Sequence, residues 1–278
     1  MNEPIARLSA RNPWSWYPVV ASKDLKAGKV IPVVLNGGHF VVWRSESGRA
    51  NAWSDRCPHR GMRLSFGATQ KEELICPYHG WTFGTDGHCI RIPAHPGFEP
   101  SRAARTRLYP SIETSGYVWV CIGEPSSETP EAGSSWPTVR SMHLPVDVPE
   151  ATAALFMVPL DANDADFAPI DISAINWSGA GAMSVILPNE RIFSASLTKA
   201  GALSAFCQGP RGTARYEIRF QPAAHDACVV HLASANDPVA MNRALVAFRH
   251  TLLHQIDAKK LSAVRAALAE RLPDQVSN

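Results

Sequence analysis

Short runs of alternating apolar and polar residues, separated by turns rich in glycine and asparagine, fill the first 122 residues of the chain. The runs 30–35 and 39–44 flank Asn36-Gly37-Gly38, a turn sequence typical of a β-hairpin. Two further pairs of runs, 81–83 with 89–90 and 107–112 with 117–122, flank the turns 84–87 and 113–116. The pattern predicts an all-β domain over residues 1–122.

The pattern changes after residue 122. Five prolines are scattered among serines between residues 123 and 150, which favours an extended connector. Apolar residues then recur at helical spacing from 239 to 272, which predicts one long C-terminal helix that ends before Pro273. Between these segments, strands are predicted at 151–160, 182–187, 191–199, 202–208, 214–221 and 227–233. We therefore expect an α+β chain, with domains at 1–122 and 151–278.

Composition excludes two classes of protein. The longest apolar stretch, 151–160, is much shorter than the roughly 20 residues that span a bilayer, and residues 1–13 lack the apolar core of a secretory signal. The net charge is +2 and no run of basic residues is present, which argues against a nucleic-acid partner. We expect a cytoplasmic protein that binds neither membrane nor nucleic acid.

Two short boxes carry the decisive chemistry: Cys57-Pro58-His59-Arg60-Gly61 and Cys76-Pro77-Tyr78-His79-Gly80-Trp81. Together they read C-x-H-x16-C-x-x-H, and each box supplies one cysteine and one histidine. A Rieske [2Fe-2S] cluster needs two thiolates on one iron and two imidazoles on the other. Because the imidazoles are neutral, the potential rises from about −400 mV to roughly −150 to +300 mV. The boxes predict one-electron chemistry with Cys57, His59, Cys76 and His79 as ligands.

A Cys2His2 zinc site is the alternative for these four residues. Structural zinc sites usually group cysteines with cysteines and histidines with histidines, whereas each box here mixes the two types. The mixed boxes favour the cluster. Without an export signal the six cysteines are expected to be reduced, and we assign the remaining four to packing: Cys89, Cys121, Cys207 and Cys228.

Residues 14–122 resemble the Rieske domain of the Rieske non-heme iron oxygenases, especially the vanillate O-demethylase-like α subunits. Rieske proteins of the cytochrome bc type carry an extra cysteine in each box, whereas Met62 and Tyr78 stand at those places here. The resemblance implies a second, helix-grip domain that holds a mononuclear iron on two histidines and one carboxylate. It also implies a reductase or ferredoxin donor, and an assembly of three α subunits or a hexamer.

In this family the two histidine ligands follow a pattern that resembles D-x-x-H-x4-H. The second domain departs from that pattern. No histidine occurs between residues 144 and 224, and the register that matches Asp164 places Phe167 and Ile172 at the histidine positions. Neither side chain has a lone pair for iron. Asp164 matches the family's aspartate that links the neighbouring subunit's cluster to the mononuclear iron, and Asp257 matches the carboxylate ligand. The alternative is that both are ordinary surface or capping residues. The domain, about 130 residues long, is also shorter than the family's usual catalytic domain.

His250, His254 and Asp257 offer a different metal triad, because they share one face of the predicted C-terminal helix. Solvated or core histidines are the simpler interpretation of the first two.

Three functions follow from these patterns. The first is a Rieske oxygenase subunit that passes electrons to a mononuclear iron in a partner subunit, for hydroxylation or demethylation of a small organic substrate. The second is a homotrimeric monooxygenase that is self-sufficient and uses unusual iron ligands. The third is a Rieske electron-transfer protein whose second domain only docks partners. Around the first box, Arg56, Arg60 and Arg63 could receive an acidic electron donor.

Overall fold

A computed structural model describes residues 16–123, 129–130, 133–161, 169–178, 182–188, 190–198 and 201–271. The chain divides into two compact units, Met1–Pro130 and Glu131–Asn278. No helix within the described ranges is long and apolar enough to cross a bilayer. The cytoplasmic location stays a prediction.

The first unit is built from three antiparallel sheets, in the orders β1-β11-β10, β2-β3-β4-β9 and β5-β6-β7-β8. This confirms the predicted all-β character of the first part of the chain. Short 3-10 helices cover Ser22–Asp24 and Leu64–Phe66. The strands are β1 (Trp16–Ala21), β2 (Val30–Leu35), β3 (Gly38–Arg44), β4 (Ala50–Ser54), β5 (Ala68–Gln70), β6 (Glu73–Ile75), β7 (Thr82–Gly84), β8 (Cys89–Arg91), β9 (Leu108–Tyr109), β10 (Ser111–Thr114) and β11 (Tyr117–Cys121).

The first predicted hairpin is present as β2 and β3, which pair in register from Val30 opposite Trp43 to Leu35 opposite Gly38. Asn36 and Gly37 both have positive φ angles, 48° and 73°. A two-residue turn with positive φ at both positions matches the right-handed twist of the strands that it joins. The local sequence therefore determines this hairpin.

A compact apolar core supports β6, β7 and the two boxes. It contains Trp43, Trp53, Leu74 and Phe83, together with the two box cysteines. The indole rings of Trp43 and Trp53 meet edge to face, with centroids 4.9 Å apart. Edge-to-face aromatic pairs contribute packing energy beyond the area that they bury. The core thus gives the boxes a rigid base.

Two contacts fix the chain between the boxes. The buried carboxylate of Asp55 accepts hydrogen bonds from the backbone N–H of Ser65 (2.6 Å) and from its hydroxyl (2.7 Å). At Gly67, a Cβ atom would lie 2.1 Å from the carbonyl oxygen of Ile75, the residue before Cys76. Only glycine allows the segment after the first box to pass this close to the start of the second.

In its described residues, the second unit is a seven-stranded antiparallel sheet in the order β12-β18-β17-β16-β15-β14-β13, with three α-helices. Together with the first unit this confirms the α+β class. A short 3-10 helix covers Ile172–Ala174. The strands are β12 (Thr138–Leu144), β13 (Asn176–Ser178), β14 (Ala182–Leu187), β15 (Arg191–Leu197), β16 (Leu203–Gly209), β17 (Gly212–Ala224) and β18 (Ala227–Ser234); the helices are α1 (Val148–Met157), α2 (Pro238–His254) and α3 (Ala258–Arg271).

The strand predicted at 151–160 was wrong, because this segment lies mostly in helix α1. Asp147 caps the helix by accepting a hydrogen bond from the backbone N–H of Glu150 (2.8 Å), and Pro149 lies in the first turn. Every residue from Ala151 to Met157 is buried. A helix that is buried on all sides shows no 3.6-residue periodicity, so its apolar run cannot be distinguished from a buried strand.

The predicted connector and the predicted single helix also need correction. The range 123–150 includes β12, which pairs with β18 inside the second unit's sheet. The C-terminal helix is two helices, since Asp257 accepts hydrogen bonds from the backbone N–H groups of Lys259 (2.8 Å) and Lys260 (3.1 Å) and begins α3. Apolar spacing continues across this break, so periodicity alone did not reveal it.

We predict that Gly67→Ala lowers the stability of the first unit by about 1–3 kcal/mol, because the added methyl group forces the backbone away from Ile75. The thermal midpoint for loss of the visible cluster spectrum measures this effect. Gly97→Ala is the matched control, because a Cβ at Gly97 would meet no atom within 4 Å. Equal midpoints for the two variants would contradict the close approach at Gly67.

Candidate cluster-binding site

The first box forms a closed turn on Cys57. The backbone N–H of Cys57 donates to the carbonyl oxygen of Met62 (2.8 Å), and the N–H of Gly61 donates to the carbonyl oxygen of Cys57 (2.8 Å). Gly61 has a φ of 72°, in the left-handed region that favours glycine. Local hydrogen bonds therefore fix this loop without help from the cluster.

The second box repeats the same turn. The N–H of Cys76 donates to the carbonyl oxygen of Trp81 (2.9 Å), and the N–H of Gly80 donates to that of Cys76 (3.1 Å). Gly80 has a φ of 67° and lies so close to Pro93 that a Cβ would be 2.9 Å from the proline ring. The two turns differ in one respect: the histidine is the third residue of the first box and the fourth of the second.

Both thiols of the boxes are buried. Cys57 is 3% exposed and Cys76 is 2% exposed, and both belong to the apolar core beneath the loops. Burial raises the pKa of the Cys57 thiol to about 11, and a hydrogen bond with the Cys76 side chain adds to the rise. The two sulfurs therefore lie side by side, facing inward.

Both imidazoles lie on the outside. His59 and His79 are exposed, and their ring centroids are 4.7 Å apart. Partial desolvation lowers the pKa of His59, and the nearby His79 and Arg60 lower it further. A neutral imidazole is the form that binds metal. The two nitrogen donors are therefore adjacent to each other and accessible from solvent.

Aromatic rings support each imidazole. The ring of Trp81 stacks on His59 at 4.4 Å, with the planes only 4° apart. The ring of Tyr78, half exposed, stacks on His79 at 3.8 Å. Because Trp81 belongs to the second box and His59 to the first, their stacking joins the two loops. These roles of Tyr78 and Trp81 were missed from the sequence, where their only signal was one aromatic residue directly before His79 and another two residues after it.

This arrangement fits a Rieske cluster. Such a cluster has two sulfur ligands at one iron and two nitrogen ligands at the other, and here the thiols form one pair and the imidazoles another. Over the parts of the chain that the structure describes, no set of three or more His, Cys, Asp and Glu side chains could hold a single metal ion. The four residues predicted from the boxes are thus brought together, in the segregated pairs that the cluster requires.

The candidates for a second metal site are placed differently. Asp164 and Phe167 lie outside the described residues, and Ile172 begins the short 3-10 helix. His250 and His254 are exposed neighbours on α2, with ring centroids 4.8 Å apart. Asp257 instead caps α3. Among the described side chains these three form no group that could hold a metal ion.

The four cysteines that were assigned to packing are all buried. Cys207 has a further contact that the sequence did not suggest, a weak hydrogen bond of 3.5 Å to the buried carboxylate of Asp161. Arg191 lies 3.6 Å from the same carboxylate. The charge of Arg191 offsets the cost of burying Asp161 in the core of the second unit.

Comparison with known proteins agrees with this geometry. The family of the Rieske [2Fe-2S] domain matches residues 15–110. Oxidoreductase NdmD of Pseudomonas putida is 44% identical over 115 residues, which are 41% of this chain and 19% of that protein. The 3-chlorobenzoate-3,4-dioxygenase oxygenase subunit of Comamonas testosteroni is 35% identical over 130 residues, 44% of this chain and 30% of that protein. The chain thus matches less than a third of the length of either relative.

Solved structures share the fold over nearly the whole chain. Dicamba monooxygenase has a TM-score of 0.64 at 17% identity, covering 96% of this chain and 98% of its own. NdmA of Pseudomonas putida CBB5, solved with caffeine, has a TM-score of 0.68 at 18% identity, covering 98% of this chain and 92% of its own. These matches extend through the second unit. The chain therefore contains a Rieske [2Fe-2S] domain, and the resemblance to the Rieske oxygenase α subunits is confirmed by its sequence relatives and by its fold.

Proposed function

We propose that Cys57, His59, Cys76 and His79 hold the [2Fe-2S] cluster, and that the chain is the electron-transfer subunit of a Rieske oxygenase. It receives electrons from a reductase or ferredoxin and passes them to a mononuclear iron in a partner subunit. That iron carries out O2-dependent hydroxylation or demethylation of a small organic substrate. The observation that carries the proposal is the pair of exposed imidazoles above a pair of buried thiols.

The residues around the cluster have distinct tasks in electron transfer. When bound, the cluster accepts and gives up one electron at a time. The apolar core excludes water from Cys57 and Cys76, and the stacked rings of Tyr78 and Trp81 hold the imidazoles in place. Since His59 and His79 reach solvent, a partner can approach the nitrogen side of the site directly.

The charge at this surface indicates the kind of donor. Arg56, Arg60 and Arg63 are all exposed, and the guanidinium of Arg56 lies beside Gly61 in the first box. Complementary charge mainly accelerates and orients the encounter of two proteins. An acidic ferredoxin or reductase would therefore dock with its own redox centre near the imidazoles.

Two observations support a mononuclear iron in a partner subunit rather than a mononuclear iron in this chain. In the register of the family pattern, Phe167 and Ile172 stand where two histidines are expected. The alternative ligands form no group that could hold a metal ion among the described side chains: Asp257 caps α3, and His250 and His254 lie on α2. Several relatives are oxygenases by name, among them the chlorophyllide a oxygenase of Chlamydomonas reinhardtii, which supports the oxygenase setting.

Iron content separates this proposal from its alternatives. We predict two iron atoms per polypeptide in the anaerobically purified protein, and a Rieske-type electron paramagnetic resonance signal after reduction. Three irons would instead indicate a self-sufficient oxygenase with unusual ligands. Zinc, or a colourless protein, would contradict the cluster. Substrate turnover that appears only when an iron-bearing oxygenase subunit is added distinguishes the proposed subunit from a simple electron carrier.

We predict that His79→Cys lowers the midpoint potential by on the order of 100 mV or more, because an anionic thiolate replaces a neutral imidazole. Redox titration monitored by circular dichroism in the visible range measures the change. The control His225→Cys makes the same substitution at an exposed position in the second unit and should leave the potential unchanged. A cluster with the original potential in His79→Cys would exclude His79 as a ligand.

We predict that Asp257→Ala destabilises the second unit by about 1 kcal/mol, the usual cost of losing a helix N-cap. Asp257→Asn should cost much less, because asparagine caps about as well as aspartate. Chemical denaturation measures both, and iron analysis should give the same iron content in both variants. Loss of one iron atom per chain in Asp257→Asn would show instead that the carboxylate is an iron ligand.

A further inference from the structure

A buried carboxylate stands just before the first box. Asp55 is 1% exposed and lies two residues before the proposed ligand Cys57. Two residues of chain span about 7 Å at most, so the Cα atoms of Asp55 and Cys57 are no further apart than this. A charge on Asp55 therefore acts at short range on the sulfur side of the site.

The hydrogen bonds of Asp55 are those of an ionised carboxylate. One oxygen accepts from the backbone N–H of Ser65, and the other accepts from the Ser65 hydroxyl. An ionised carboxylate only accepts hydrogen bonds, whereas a protonated one also has an O–H to donate. Ser65 follows Leu64, which packs in the same apolar core as both box cysteines. The structure thus holds a negative charge beside that core.

Asp55 differs from the other buried acidic residues that the structure describes, because each of those has an arginine partner. Asp161 lies 3.6 Å from Arg191, and Glu217 forms an ion pair with Arg219. Within the described parts of the chain, the side chain of Asp55 is held by Ser65 and forms no ion pair with Lys, Arg or His. The one buried acid without a counterion among these three is therefore the one beside the boxes.

The local structure alone does not require an acid at position 55. Burying a charge without a counterion costs much more free energy than burying an amide that is hydrogen-bonded. Asparagine has nearly the size of aspartate, and its side-chain oxygen could accept the same hydrogen bond from the Ser65 N–H, while its NH2 group could donate to the Ser65 hydroxyl. The charge of Asp55, rather than its hydrogen bonds, therefore calls for a function.

We propose that the negative charge of Asp55 lowers the midpoint potential of the cluster. Reduction adds one negative charge to the cluster, so a fixed negative charge nearby disfavours the reduced state. Net charge and burial are among the factors by which a protein sets the potential of an iron–sulfur cluster, and a charge acts more strongly away from water. A lower potential makes the cluster a stronger electron donor to the next centre. The role of Asp55 rests on the proposed function, in which the four box residues hold the cluster.

Redox titration of the whole, cluster-loaded protein tests this role. We expect Asp55→Asn to make reduction about tenfold more favourable, which is a rise of about 59 mV in the midpoint potential of a one-electron couple. Asp86→Asn is the matched control, because Asp86 is exposed in the turn between β7 and β8 and its charge is screened by water. A potential at or below the wild-type value in Asp55→Asn, or an equal rise in Asp86→Asn, would overturn the proposal.

Ser65→Ala provides a second test, which also applies if Asp55→Asn fails to take up the cluster. This variant removes one hydrogen bond from the carboxylate but keeps its charge. Because the hydroxyl donor offsets part of that charge, we expect the midpoint potential to fall. A potential at or above the wild-type value would show that the charge does not set it.

The two proposals fail in different ways. A wild-type protein that shows no Rieske-type electron paramagnetic resonance signal would contradict the proposed function, and the role of Asp55 with it. A normal Rieske signal whose midpoint potential is the same in the wild type and in Asp55→Asn would contradict only the role of Asp55.

Discussion

The site depends on one separation, in which two thiols are held inside an apolar core while two imidazoles are held at its surface. Burial raises the pKa of the Cys57 thiol to about 11, and the same apolar core keeps water away from both sulfurs. The imidazoles need the opposite environment, because a partner must approach them. Two loops with the same backbone turn achieve both requirements at once.

The loops were predictable because their information is local. The sequences of the two boxes contain the ligand types at their spacing. The turns are closed by glycines in the left-handed conformation, Gly61 and Gly80. The stacking of Trp81 on His59 was not predictable, because it joins residues of different loops that only the folded core brings together. The close approach of Gly67 to Ile75 was not predictable for the same reason, because it joins two segments that only the folded chain brings together.

In the second unit, the hairpin strands from β14 to β18 were found at close to their observed positions. The errors occurred where the signal was ambiguous. Helix α1 has no polar side, so its sequence lacks the periodicity by which a helix is recognised. The break before α3 was missed because the cap at Asp257 interrupts the backbone but not the apolar spacing around it, from Leu252 through Ile256 to Leu261.

The burial of α1 from Ala151 to Met157 has a consequence for biosynthesis. This helix leaves the ribosome before the strands and helices of its own unit that follow it, from β13 to α3, have been made. Until then, side chains such as Leu155, Phe156 and Met157 have no completed core to enter, and they remain open to contact with other nascent chains. Newly made chains of this protein therefore expose this apolar segment over the interval in which residues 158–271 are synthesised.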